Sequence, residues 1–162
     1  MKKTVLREYA KLIVRCGVNV QKGQEVLITA ELDQPEFVKM VVDECYKAGA
    51  SKVSVDWSYQ PLTKLNVRHC SKKVLGNLDK WQLEKWEHQA EVLPCKIYLM
   101  SEDPDGLAGV NQKKYAKAMA SRSKLIKPIR NFIMQFPYGA SRCGYLQCEK
   151  FNRISMAFNQ QQ

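Results

Sequence analysis

Several common functional signatures are missing from this 162-residue chain. No GxGxxG follows a strand-like run, and no GxxxxGK[ST] occurs, which removes two widespread nucleotide-binding fingerprints. HExxH and GxSxG are absent as well, so neither a zincin helix nor a nucleophile elbow is encoded. Histidine is scarce. His69 and His88 lie 19 residues apart in polar, helix-like contexts and are read as structural or surface residues, not as a metal pair. The six cysteines, Cys16, Cys45, Cys70, Cys95, Cys143 and Cys148, form no CxxC pair, which argues against zinc. Most sit inside apolar patterns, so reduced, structural thiols are expected rather than a disulfide framework. No apolar run approaches the roughly 20 residues needed to cross a bilayer. Met1-Lys2-Lys3 could mimic a signal n-region, but Arg7, Glu8, Lys11 and Arg15 interrupt any apolar stretch behind it. A soluble, cytoplasmic protein is therefore expected. Acid is also in short supply: 16 Asp and Glu against 26 Lys and Arg give a net charge of +10.

The residues that are present describe a globular domain. With 45% hydrophobic residues the chain is too apolar for general disorder, and a chain of this length buries roughly 70% of its unfolded surface without needing a staple. Thr4 to Cys16 has helical periodicity through Val5, Leu6, Tyr9, Leu12 and Ile13, with Gly17 placed as a cap. Glu25 to Ala30 reads as a strand covered on both faces. A helix follows, with Asp33 as its expected N-cap, Pro35 in its first turn and a stripe of Phe37, Val38, Val41, Val42 and Cys45. Lys52 to Trp57 alternates as a second strand. Strand, helix and strand in about 33 residues form a βαβ unit with parallel strands and a right-handed crossover. From Pro61 to Val92 the pattern is helical but broken near Ser71 and Gly76, and no more than one of Trp81 and Trp86 is expected to be fully buried. Cys95 to Ser101 is a third strand, followed by a loop. Gln112 to Met134 is a long helix, expected to bend or split near Ser121–Ser123 and Pro128. The fold class expected is α/β: an open, mostly parallel sheet of three or more strands with helices on both faces, in three layers, incomplete at the C-terminus.

Residues 135–162 change character. They hold scattered glycines, three basic residues, one acid and a terminal Gln-Gln-Gln, and no clear strand. Two readings stand side by side: a flexible terminus, or a truncated or frame-shifted continuation. The domain reading is thus an α/β domain over 1–134 and a divergent tail over 135–162.

Three features carry candidate chemistry. Glu102, Asp103 and Asp105 lie just beyond a predicted parallel strand, where open α/β sheets bind ligands. They form a candidate ligand or interdomain loop that could hold a divalent cation, or they build a turn and cap the next helix. Lys113, Lys117 and Lys124 fall within about 40° on an ideal helix, inside a stretch from Leu107 to Cys148 with eight basic residues and no acid. This candidate basic face suits nucleic acid or an acidic protein, or is simply a solvated face. Arg122 falls in the middle of the apolar face of the same helix, so a structural ion pair is expected with the acidic loop, Asp103 in particular, or with Asp56.

Four ordered segments resemble one family. Leu6–Ile28 (LREYAKLIVRCGVNVQKGQEVLI), Ala48–Trp57 (AGASKVSVDW), Ser101–Gly109 (SEDPDGLAG) and Ala120–Pro128 (ASRSKLIKP) are similar to segments of the thermophilic-type metal-dependent aminopeptidases, the aminopeptidase T, S and PepS group. The resemblance runs from about Thr4 to Met134. It implies the N-terminal α/β domain of a two-domain enzyme that removes N-terminal residues from peptides. It also implies two divalent ions, zinc or cobalt, held by Glu, His and Asp of a C-terminal domain. None of those ligand positions exists in this chain, so no catalytic or metal residue is carried over and no bound metal is expected. The implied partners are the missing catalytic domain and a second subunit of a homodimer, with peptide bound only by the complete enzyme. Neither membrane nor nucleic acid is an expected partner. The alternative is a stand-alone basic α/β binding module.

Overall fold

The computed structural model describes residues 2–135 and 146–147. They fall into two compact units. The first holds residues 2–58, 94–102 and 146–147; the second holds residues 59–93 and 103–135.

The first unit is built on a parallel sheet of β1 (Glu25–Glu31), β2 (Lys52–Ser58), β3 (Cys95–Leu99) and β4 (Leu146–Gln147), in the order β2-β1-β3-β4. Ile28 lies in register with Val55 on one side and Ile97 on the other. Side chains alternate along each strand, so Val26, Ile28 and Ala30 share a face with Ile97 and Leu99. That face packs with Val14, Val18, Phe37, Val38, Val41 and Cys45 into the core. Val14 and Val18 come from the continuation of α1 (Lys3–Leu12) and the other four from α2 (Pro35–Lys47). Tyr9 stacks on Phe37 with centroids 5.9 Å apart. The opposite face is far more polar: Thr29, Glu31, Ser54, Asp56, Ser58, Lys96 and Tyr98 share it with Leu27.

Several local outcomes differ from the expectations. The first helix stops at Leu12, and Ile13–Gly17 widens into i→i+5 spacing, with Val18 N–H donating to Ile13 O at 2.9 Å. Asp33 does not cap α2. The helix begins at Pro35, so Gln34 holds that position, without a side-chain hydrogen bond, and Asp33 Oδ1 accepts from the Ser101 hydroxyl instead. A strand does follow the long helix: β4 pairs in parallel with β3. The remaining expectations for 135–162 lie outside the described residues. Among the described cysteines, Cys16, Cys45 and Cys70 are free, but Cys95 is disulfide-bonded. Spacing along the chain does not reveal which sulfurs meet in space. Burial pushes the Cys45 thiol up to about 12, which makes it inert.

Gly49 shows where backbone geometry dictates sequence. Its φ of +100° favours glycine, and a Cβ there would press on Lys22 at 3.1–3.3 Å. The close approach lets Gly23 N–H donate to Gly49 O at 2.8 Å, joining the turns that precede β1 and β2.

The second unit is helical: α3 (Gln60–His69), α4 (Lys72–Gly76), α5 (Lys80–Val92) and α6 (Gln112–Gln135). The expected breaks near Ser71 and Gly76 are present. Trp81 is exposed and Trp86 half-buried. The long helix neither splits at Ser121–Ser123 nor ends at Pro128. Proline removes one i→i−4 hydrogen bond, and the remaining ones carry the helix through. Gly76 is buried at the end of α4, and a Cβ there would lie 3.2 Å from Ser121 Cβ and 3.4 Å from Ala118 O. The two backbones therefore approach closely at this glycine. Parallel strands joined through helices define an open α/β sheet consistent with a three-layer α/β fold.

Candidate functional site

The sheet order sets where a ligand would sit. From β1 the chain leaves through α2 to β2 on one side, and later returns to β3 on the other. The crevice at such a switch point, outside the carboxyl ends of β1 and β3, is the usual binding position in open α/β sheets. In the first unit it gathers Glu31 from the end of β1, Asp33 from the following loop, Ser58 from the end of β2, and Ser101 and Glu102 after β3. The Ser101 hydroxyl donates to Asp33 Oδ1 at 2.7 Å, and Leu32 N–H donates to Ser58 O at 3.1 Å. Glu31 is buried. Loss of water raises its carboxyl above the usual range, and the negative charges of Glu102 and Asp33 push the same way, against a hydrogen bond with Ser58. On the same sheet face burial lowers the Lys96 ammonium.

A raised carboxyl in the folded state binds its proton more tightly than the unfolded chain does. The stabilisation linked to that proton is full below the unfolded value of about 4.3 and is lost as pH rises through the higher folded value. Glu31→Gln, which cannot ionise, is therefore expected to melt at a higher temperature than the parent at pH 7. The gap should close as pH falls below about 4. Thermal melts across that range check this, and an equal gap at both ends would contradict it.

Glu102, of the expected acidic loop, lies near this crevice. Asp103 and Asp105 build a turn in the second unit. Asp103 Oδ1 accepts from Asp105 N–H at 3.0 Å, and Asp103 O accepts from Gly106 N–H at 3.0 Å. The Gln60 carboxamide clamps the turn, accepting from Asp103 N–H at 3.2 Å and donating to Asp103 O at 2.8 Å. A Cβ at Gly106 would displace that carboxamide from the turn.

The expected Arg122–Asp103 pair is not formed: no ion pair among the described residues involves Arg122. The physical reason is twofold. Arg122 is only half-buried, so its guanidinium retains access to water, and Asp103 is engaged in its own turn. Lys113, Lys117 and Lys124 are all exposed. Lys114, between them in sequence, instead donates to Val67 O at 2.7 Å.

Glu31, Ser58 and Ser101 were not singled out from sequence. The available signal was position: a charged residue closing an apolar strand at its carboxyl end. No group of three His, Cys, Asp or Glu side chains among the described residues is placed to hold a metal ion. No described helix is long and apolar enough to cross a membrane.

An acid-lined switch point on a parallel sheet defines a class of α/β domain, and sequence comparison narrows it. Residues 2–145 match the family described as thermophilic metalloprotease (M29), and the chain belongs to that family. It is 32% identical over 128 residues to "Aminopeptidase AmpS" of Bacillus subtilis (strain 168), an alignment covering 79% of this chain and 31% of that protein. It is 30% identical over 122 residues to "Aminopeptidase PepS" of Streptococcus thermophilus, covering 74% and 30%. Among solved structures it resembles "Wild-type AmpT from Thermus thermophilus", with a TM-score of 0.72 at 27% identity, covering 83% of this chain and 34% of that one. The chain spans about a third of the length of the curated relatives it matches. M29 is a metalloprotease family, yet the described side chains do not fit a metal centre.

Proposed function

We propose that these 162 residues form the N-terminal part of a metal-dependent aminopeptidase that removes N-terminal residues from peptides. In this reading the chain is inactive alone. The ligands for two divalent ions, zinc or cobalt, belong to the remaining C-terminal domain, and the complete enzyme is a cytoplasmic homodimer. The observation that carries the reading is the family match over residues 2–145 together with relatives named aminopeptidases, each covered over only about a third of its length. We assign the shared α/β domain to 1–134 and any divergent segment to 135–162, noting that the family match reaches 145.

Metal-assisted hydrolysis needs ligands that fix the ion, lower the pKa of bound water and leave a coordination position open. The purified chain is therefore expected to release no nitroaniline from aminoacyl-p-nitroanilides above a protein-free control, with cobalt or zinc added. Turnover that a chelator abolishes would overturn the inactivity.

A further inference from the structure

The sheet of the first unit ends on β2, whose outer side no described strand covers. β2 runs for seven residues in unbroken register with β1, without proline, glycine or bulge. A long, regular edge of this kind is a template for a further strand. Backbone groups turn to opposite sides of a strand at alternate residues. Ser58 O accepts from Leu32 N–H, on the β1 side, at 3.1 Å, so Val53, Val55 and Trp57 present theirs outward. Val53 N–H donates to the Tyr46 hydroxyl at 3.3 Å, longer than most such bonds. Among the described residues no hydrogen bond reaches the outward amides of Val55 and Trp57. The two aromatic side chains along this edge, Tyr46 and Trp57, are 51% and 45% exposed.

We propose that β2 pairs antiparallel with β2 of a second copy of this chain, about a two-fold axis at Ser54. A strand edge takes a strand, and the charges of β2 select which one. Lys52 and Asp56 are its only charged residues and share one face of the sheet. With Ser54 opposite Ser54 of the copy, each Lys52 lies opposite an Asp56, and each Val53 opposite a Val55. Sliding the copy by two residues in either direction removes both charge matches. The outward amides and carbonyls of Val53 and Val55 then bond across the axis, and the Lys52 and Asp56 positions form non-hydrogen-bonded pairs, where side chains approach most closely. Two-fold symmetry closes the assembly at two copies. The pairing concerns this chain's own sheet and stands independently of the aminopeptidase reading.

Sedimentation velocity of the full chain from about 1 to about 100 μM, the range in which a small interface associates, reads the pairing. Salt at about 0.15 M screens repulsion between the two basic copies. The parent is expected to shift from monomer to dimer. K52D sets carboxylates against each other and D56K sets ammonium groups against each other. Each is expected to weaken dimerisation at least about tenfold, with circular dichroism showing a folded chain. A 1:1 mixture of the two variants should dimerise within about threefold of the parent, since each chain supplies the charge that the other lacks. Hydrogen exchange supplies a second readout on the parent alone and decides the matter if D56K does not fold. The Val55 amide is expected to slow at least about threefold between the two concentrations, while the Ser54 amide, which faces β1, changes little. A parent that stays monomeric or grows into open-ended assemblies, a mixture of folded variants no better than either alone, or Val55 exchange independent of concentration would each overturn the proposal.

Discussion

Ile28→Ala is expected to destabilise the first unit by about 2–5 kcal/mol, the usual cost of hollowing a well-packed core. Ile28 has no exposed surface. It sits on an inner strand between Val55 and Ile97, in the cluster completed by α1 and α2. Rigid strands on both sides leave little freedom to collapse around the cavity, which places the expected loss toward the upper part of that range. Val5→Ala is the matched control. Val5 is 49% exposed, and surface truncations usually stay within about 0.5 kcal/mol. Urea unfolding followed by circular dichroism reads both, and a loss below about 1 kcal/mol for Ile28→Ala would contradict the packing described.

Gly76→Leu is expected to cost the second unit about 1–3 kcal/mol or more, through overpacking. Even the first carbon of a side chain would lie 3.2 Å from Ser121 Cβ and 3.4 Å from a backbone oxygen of α6. Ala118, fully buried beside it, offers no long side chain that could swing away. Gly76→Ala should cost clearly less, since a shift of a few tenths of an ångström accommodates it. Urea titrations of the two variants test the order. Equal midpoints for Gly76→Leu and the parent would show that α4 and α6 do not meet at this residue.

The sheet was legible because strand spacing and helix spacing alternate without ambiguity. The stripe from Phe37 to Cys45 keeps the helical period and Val53, Val55 and Trp57 the strand period, while the short run Val26-Leu27-Ile28 was read as a strand from its length and the turn residues before it. What failed was decided by contacts far apart in sequence. Asp33 has the chemistry of an N-cap, yet Ser101, distant in the chain, claims its carboxylate. Pro128 signals a bend or a split, and α6 runs past it without splitting because one lost hydrogen bond is a small part of a long helix. Arg122 falls on the apolar face of an ideal wheel, but half-burial already gives its guanidinium access to water. Glu31 was overlooked as the polar end of an apolar strand, although the same edge rule that drew attention to Glu102 applies to it. The motif residues Asp103, Pro104, Asp105 and Gly106 were visible as a group. Their role as a turn clamped by Gln60 needed coordinates, since Gln60 is 43 residues away.

Under the proposed function, the metal chemistry of this family lies outside these residues, in sequence that completes the enzyme. Reading the encoding DNA beyond the Met134 codon in all three frames tests it most directly. One frame is expected to continue the α/β pattern and then to enter a longer segment rich in Glu, His and Asp. If no frame does so, the aminopeptidase reading fails and the alternative, a basic α/β binding module, takes its place.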